Sequence, residues 1–223
     1  MVLIIKLKDV RKEYEVGSEV IHALRGVSLK IDNGEFISVM GPSGSGKTTL
    51  LNMIGVLDRP TSGKVVIGDD DTSVLSDRTM SKMRLNNFGF VFQQFYLIPT
   101  LSALENVYLP MKEAGMSRRD ARKRAMELLE LVSVEKRWRH LPHQMSGGEQ
   151  QRIAIARAMA NDPDTILADE PTGELDSDNS SAIMNIFKDL NRNLKKSIII
   201  VTHDPEIAKR ARKTIKMKDG RIH

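Results

Sequence analysis

Over the first third of the chain, apolar and polar residues alternate with the two-residue period of β-strands. Ile5/Leu7, Val27/Leu29/Ile31, Phe36/Ser38/Met40 and Val65/Ile67 mark strands, punctuated by turn sequences at Asp32-Asn33-Gly34 and Thr61-Ser62-Gly63. The pattern from about Ile4 to Asp69 predicts a sheet enclosing a helix that follows Met40. From about Pro99 to Gln144 the period changes, with Ala125, Leu128, Leu129, Leu131 and Val132 at helical spacing, which predicts a mostly helical subdomain. From Ser146 onward helices alternate with two continuously apolar strands, Thr165-Ile166-Leu167-Ala168 and Ser197-Ile198-Ile199-Ile200-Val201. Such runs mark parallel strands buried on both faces of an α/β core. The expected organisation is a single domain: residues 1–98 as core with a β subdomain, 99–145 as a helical subdomain, and 146–223 as the rest of the core.

Composition narrows the class. With 223 residues, 40% hydrophobic and 28% charged, the chain suits a globular protein with a sizeable core. Apolar stretches such as Ile198-Ile199-Ile200-Val201 fall far short of the roughly 18 residues of a membrane-spanning helix. Met1-Val2-Leu3-Ile4-Ile5 lacks a basic n-region and a small-residue cleavage site, so neither secretion nor membrane insertion is expected. The absence of cysteine excludes disulfides and thiolate metal sites and fits a reducing interior.

The net charge of +5 raises the question of nucleic acid. Arg118, Arg119, Arg122, Lys123 and Arg124 are interleaved with Asp120, Ala121, Ala125 and Glu127 at helical spacing, which makes them one solvated helix face. Lys209, Arg210, Arg212, Lys213, Lys216 and Lys218 fall on the last helix and strand. Aromatic residues, at 4%, offer few platforms for stacking bases, so no nucleic-acid partner is expected. A basic surface also suits work beside anionic lipid head groups.

The chemistry concentrates in one motif. Gly41-Pro42-Ser43-Gly44-Ser45-Gly46-Lys47-Thr48 fits G-x-x-x-x-G-K-[ST], lying after the apolar run Phe36–Met40 and before Thr49-Leu50-Leu51-Asn52-Met53-Ile54. The glycines let consecutive backbone N–H groups curl into an anion-binding nest, and the helix adds the positive end of its dipole. Lys47 reaches the β- and γ-phosphates, and the Thr48 hydroxyl serves the bridging Mg²⁺. Strand, loop and helix agree on a nucleoside-triphosphate site.

Four further groups accompany it. Ile166-Leu167-Ala168-Asp169-Glu170 is an apolar strand ending in two carboxylates, and ligands gather at the carboxyl ends of such strands. That places Asp169 near the Mg²⁺ and Glu170 near the terminal phosphate. His203 follows a second strand end, a weak signal alone. Gln93 follows a third, Gly89-Phe90-Val91-Phe92, with Gln94 beside it leaving the choice open. Finally Met145-Ser146-Gly147-Gly148-Glu149-Gln150-Gln151-Arg152 opens a helix. Ser146 is its N-cap and Glu149 the capping-box partner, while Gly147-Gly148 leaves backbone N–H groups open to an anion. A second phosphate-binding helix start in one chain suggests service to a neighbouring subunit's nucleotide.

Taken together these residues resemble the ATP-binding cassette family over essentially the whole chain, with Ser146-Gly147-Gly148 matching the family's signature motif. The resemblance implies a P-loop α/β core with an antiparallel β subdomain and a helical signature subdomain. It implies that Tyr14 stacks on adenine, that Gly41 to Thr48 form the Walker A loop with Thr49 beside it in the nucleotide site, and that Gln93 touches Mg²⁺ and the attacking water. Asp169 and Glu170 close Walker B, Asp176 belongs to the D-loop across a dimer interface, and His203 is the switch histidine. Met145 and Glu149 replace the commoner leucine and glutamine of the signature, and Gly173-Glu174 the usual serine-alanine before Leu175-Asp176. Gly89–Pro99 and Leu104-Glu105-Asn106-Val107 look like the lipoprotein-releasing and macrolide-export type of subunit, close to its cell-division relatives. The chain ends shortly after Lys218-Asp219-Gly220-Arg221, so no regulatory domain is expected.

The implied protein is a cytoplasmic ATPase, peripheral on the inner face of the cell membrane, that uses ATP and Mg²⁺. It dimerises head to tail on ATP binding, with Lys47 of one subunit facing Ser146 of the other, and drives permease subunits. Glu170 would activate water, His203 steady the γ-phosphate, and Lys47 neutralise developing charge. The alternative is a mechanical ATPase switch that regulates a membrane or extracytoplasmic partner without transport.

Overall fold

Strand β1 (Ile5–Val16) and strand β2 (Glu19–Ile31) form a long antiparallel hairpin closed at Gly17-Ser18. Ile5, Leu7 and Val10 of β1 and Leu24, Val27 and Ile31 of β2 are buried. The inward set jumps by three residues between Leu7 and Val10 because Asp9, at φ 47, forms an irregularity in the pairing. The strict alternation read in the sequence therefore ends at this point. On the other side β1 pairs antiparallel with β4 (Ser62–Ile67), and β4 with the two-residue β5 (Asp70–Asp71). These four strands are the antiparallel sheet, in the order β2-β1-β4-β5.

Between the hairpin and β4 the chain enters β3 (Phe36–Met40) and helix α1 (Lys47–Ile54). Strand β3 runs parallel to both β8 (Ser197–Thr202) and β9 (Lys213–Lys218). Every residue of β8 is buried, as is β3 from Phe36 to Val39, which is the burial of strands covered on both faces. Ser38 is fully buried and satisfied: its hydroxyl donates to the Ala208 carbonyl at 3.0 Å, with Thr214 Oγ1 also at 3.0 Å. Strand β10 (Arg221–Ile222) pairs antiparallel with β9, and helix α7 (Pro205–Ala208) packs on β3 and β8.

The remaining elements are helix α2 (Asp77–Asn87), β6 (Phe88–Phe92), α3 (Ala103–Glu113), α4 (Arg118–Leu131), α5 (Gly147–Ala158), β7 (Thr165–Asp169) and α6 (Ser177–Leu194). Strands β6 and β7 are parallel partners, and α5 packs on β6 and on α3, α4 and α6. Helix α4 buries Ala121, Ala125, Leu128 and Leu129, spaced four, three and one residues apart, so the periodicity marks its inner face. Leu131, which the spacing had included in that face, is 47% exposed: it projects a turn's fraction away from the Leu128/Val132 stripe. Arg118, Arg119, Arg122 and Lys123 of the same helix are exposed, as a solvated face requires.

The computed structural model describes residues 3–223; Met1 and Val2, the start of the segment read for a leader, lie outside them. The chain divides into two compact units: the described residues up to Arg84 together with Lys196–His223, and Leu85–Lys195. Among the described residues no helix is long and apolar enough to cross a membrane.

Candidate nucleotide-binding and hydrolysis site

In the first unit the phosphate loop connects β3 to α1. Helix α1 has no side-chain N-cap: its cap residue is Gly46, at φ 98, a conformation that only glycine adopts without strain. The loop is closely braced. A Cβ on Gly46 would overlap the Ala23 carbonyl oxygen, and Gly220 N donates to the Ser45 carbonyl at 3.0 Å. Lys47 is 7% exposed, and its ammonium donates to the carbonyls of Gly41 (2.8 Å) and Pro42 (3.1 Å), inside the curve of the loop. Ser45 Oγ is buried there without a hydrogen-bond partner. An uncapped helix start, an inward ammonium and an orphaned hydroxyl together fit a polyphosphate, which supplies acceptors to all three.

Register brings His203 to the same place. Met40 pairs with Thr202 across the β3–β8 ladder, and Gly41 N donates to the Thr202 carbonyl at 3.4 Å, so the loop and His203 leave the sheet side by side. Asp204, next in the chain, instead caps α7 by accepting from Glu206 N at 2.7 Å. Tyr14 lies on β1, with its hydroxyl donating to Asp58 Oδ2 at 2.9 Å. Thr49 sits in the first turn of α1, and its side chain meets that same phenol.

The second unit repeats the arrangement with another pair of strands. Phe92 pairs with Asp169, so Gln93 and Glu170 emerge together from β6 and β7. Glu170 has φ 46, in the left-handed region that costs a side-chain-bearing residue of order 1–3 kcal/mol and that clusters at functional sites. Its carbonyl accepts from Gly173 N at 3.0 Å, which starts the turn leading to Asp176. The Gln93 amide donates to Glu174 Oε1 at 3.1 Å and lies against Gly173.

Helix α5 begins with a full capping box. Ser146 Oγ accepts from Glu149 N (3.3 Å), Glu149 Oε2 accepts from Ser146 N (3.0 Å), and Arg137 Nε donates to Glu149 Oε1 at 2.7 Å. Burial alone would raise the Glu149 pKa, but the Arg137 hydrogen bond and the Ser146 N–H hold it below its ordinary value. Asp176 is the N-cap of α6, accepting from Asn179 N and Asn179 Nδ2, each at 2.8 Å. Those bonds keep its carboxyl below the usual range. A Cβ on Gly148 would meet the Asn179 side chain, so the starts of α5 and α6 are in direct packing contact.

Several contributors were not legible beforehand. Gln151, fully buried, donates from Nε2 to the Phe92 (3.3 Å) and Pro171 (2.6 Å) carbonyls and so ties α5 to the ends of β6 and β7. Arg157 donates to the carbonyls of Phe95 (2.8 Å) and Tyr96 just beyond Gln93, and burial pushes its pKa down. Polar residues inside the apolar run of Ile153 to Ala158 and beside it were the available signal. Asp58 carried none, and Glu174 stood out only as a departure beside the D-loop: each meets its partner across a sequence separation, 44 and 81 residues, that local pattern does not span.

A phosphate loop at the end of a buried parallel strand, with a second carboxylate-bearing strand end, defines a P-loop nucleotide hydrolase of α/β class. Residues 24–173 match the family model described as ABC transporter, and the chain belongs to that family. It is 52% identical over 222 residues, 98% of this chain and 94% of the relative, to an uncharacterized ABC transporter ATP-binding protein, MJ0796, of Methanocaldococcus jannaschii. A solved dimer of that cassette in a post-hydrolysis state with ADP and Pi superposes with a TM-score of 0.91 at 50% identity, covering 98% of this chain and 96% of the other. The chain is 44% identical to lipoprotein-releasing system ATP-binding protein LolD 1 of Chlorobium chlorochromatii, over 98% of this chain and 90% of the relative. It is also 44% identical to the macrolide export ATP-binding/permease protein MacB of Hyphomonas neptunium, over 98% of this chain but 34% of that longer protein. The fold is that of an ABC nucleotide-binding domain, and the chain is an ATP-binding and ATP-hydrolysing subunit of the ABC transporter family.

Proposed function

We propose that two copies of the chain close head to tail on ATP, each phosphate loop facing the start of α5 in the other copy, and that this closure drives membrane-spanning permease chains. The observation that carries the reading is the presence in one chain of two glycine-opened helix N-termini, at Gly46-Lys47 and at Ser146-Gly147-Gly148. On this reading the protein works in the cytoplasm, peripherally at the inner face of the membrane. The segments Gly89–Pro99 and Leu104-Glu105-Asn106-Val107, and the 44% identity to LolD 1 and MacB, support a subunit of the lipoprotein-releasing and macrolide-export type.

The residues then take distinct roles. The backbone from Gly41 to Gly46, with Thr49 beside it, and the Lys47 ammonium bind the phosphates, while Tyr14 carries the adenine. Thr48, Gln93 and Asp169 offer a hydroxyl, an amide and a carboxylate oxygen, a hard donor set suited to Mg²⁺ that also binds phosphate oxygens and water. Among the described residues no group of three His, Cys, Asp or Glu could hold a metal by itself, which fits an ion brought with the nucleotide. Held by these three groups, Mg²⁺ would supply charge neutralisation to the bound triphosphate. Glu170 accepts the proton of the attacking water, Gln93 orients that water, and His203 donates to the γ-phosphate. Ser146, Gly147, Gly148 and Glu149 form the start of the partner copy's α5, and Asp176 fixes the segment beside it.

Complementation tests the shared site. Lys47→Ala and Ser146→Arg are each expected to be inactive as homodimers, but a mixed dimer contains one site with an intact Lys47 and an intact partner Ser146. Partial recovery of ATPase activity on mixing is expected; activity at background, with mixed dimers present by native mass spectrometry, refutes a shared site in which one intact copy suffices.

A further inference from the structure

Tyr14 is held by a closed set of polar contacts. Its hydroxyl donates to Asp58 Oδ2 at 2.9 Å and also meets the Thr49 side chain on α1. Asp58 Oδ1 accepts from Lys12 Nζ at 2.8 Å and from Arg59 N at 2.7 Å. Lys12 Nζ donates in addition to the Arg59 carbonyl at 2.9 Å and lies 4.8 Å from the centroid of the Tyr14 ring. The Lys12 side chain is only 13% exposed, so this ammonium is a fixture of the site and not a mobile surface charge.

Two consequences follow. The ammonium covers one face of the ring, attracted by its π-electrons, so a flat ligand can stack on the opposite face alone. The hydroxyl, pinned between the loop after α1 and the first turn of α1, ties the ring to the helix that carries Lys47 and Thr48. The separation between a stacked base and the phosphate loop is thereby fixed before a nucleotide arrives, which lowers the ordering cost of binding.

We infer that Asp58 and Lys12 are positioning residues for the purine base of the nucleotide, holding the Tyr14 ring at a set distance from the phosphate loop with one face presented. The inference rests on the reading of Tyr14 as the base platform. Neither residue touches the nucleotide; both act through Tyr14.

Isothermal titration of the full chain with MgADP and, separately, Mg-pyrophosphate separates base from phosphate binding. Asp58→Ala is expected to weaken ADP by about tenfold, the scale of a lost hydrogen bond to a charged group, and to leave pyrophosphate within about twofold. Asp58→Asn, which keeps an acceptor for the phenol, should restore part of the loss. Tyr14→Phe, which keeps the ring and removes only the tether, should fall between wild type and Tyr14→Ala and serves where Asp58→Ala fails to fold. If Tyr14→Ala weakens ADP selectively while Asp58→Ala and Tyr14→Phe do not, the positioning role is overturned and the platform stands. If Asp58→Ala weakens both ligands equally, its effect is on the fold and the inference is likewise overturned. If Tyr14→Ala itself leaves the ratio of the two affinities unchanged, the platform reading fails and the inference with it.

Discussion

Two glycines of the phosphate loop resist substitution for opposite reasons, and alanine at each separates them. Gly41 has a backbone that other residues can adopt, but a Cβ there would overlap the Met217 carbonyl oxygen and lie 2.7 Å from Ser45 Oγ and 3.1 Å from the Met217 carbonyl carbon. The overlap falls roughly 1 Å inside ordinary contact distance, and its partner is backbone of β9, held by the ladder in which Met40 faces Lys216. Neither side can give without moving the loop. Overpacking of this kind costs about 2–3 kcal/mol, which in a domain of this size lowers Tm by about 5–10 °C. A loop displaced by about 1 Å should slow turnover on the order of 10²-fold. Gly44 is the reverse case, with φ 77 and nothing within 4 Å of an added Cβ. Gly44→Ala pays only the left-handed strain, about 1–2 kcal/mol, and so lowers Tm by about 2–8 °C. Differential scanning fluorimetry with steady-state ATPase measurement should therefore rank Gly41→Ala below Gly44→Ala in both stability and turnover. A Gly41→Ala protein with wild-type turnover would refute the argument that space, not conformation, fixes that position.

Two further expectations follow from the second unit. Glu170→Gln should bind ATP and slow hydrolysis by roughly 10²–10⁴, the usual worth of a positioned general base, and it should run as an ATP-dependent dimer in gel filtration; near-normal hydrolysis would remove Glu170 from the mechanism. Because the folded pKa of Glu149 is held below its unfolded value, its charge stabilises the fold above the unfolded pKa of about 4.3, and that contribution is lost as pH falls through the folded value. The Tm difference between wild type and Glu149→Gln should thus be largest near neutrality and shrink in acid, and a difference independent of pH down to 3 would show that the carboxylate charge contributes nothing.

The parts of the fold written in local period were readable, and the parts made by distant contact were not. The fully apolar strands around Ile166 and Ile199 and the 3.6-residue stripe of α4 each encode their own burial, so the sequence predicted them correctly. The hairpin is different: once Asp9 interrupts the pairing, the inward residues of β1 move from the odd to the even positions, and no local pattern announces the shift. Leu131 shows the same limit on a helix, since it keeps helical spacing from Leu128 and yet faces outward. At the candidate site, motif spacing pointed to residues that the structure sets in the loop after β3 and at the ends of β6, β7 and β8. Their second layer, Asp58 behind Tyr14 and Gln151 between Phe92 and Pro171, is built from hydrogen bonds between segments far apart in sequence.

The two anion-binding helix starts differ in a way that bears on their order of use. Helix α1 has no side-chain cap, no acidic residue in its first turn, and a lysine already inside the loop, so phosphate entering there meets no carboxylate on that turn. Helix α5 has Ser146 as its cap and Glu149 in its first turn, so its dipole is already partly complemented by a carboxylate. That carboxylate is in turn neutralised by Arg137 at 2.7 Å, which lessens repulsion of an approaching phosphate without removing the cap. A nucleotide therefore has reason to bind first at the uncapped start, and the capped start can join only a phosphate that is already bound and oriented. Under the proposed head-to-tail arrangement this asymmetry links closure of two copies to ATP binding: Ser146 and Glu149 already complement the start of α5, and Gly147, half-buried where Gly148 is buried against Asn179, is the position left to meet a γ-phosphate presented to it.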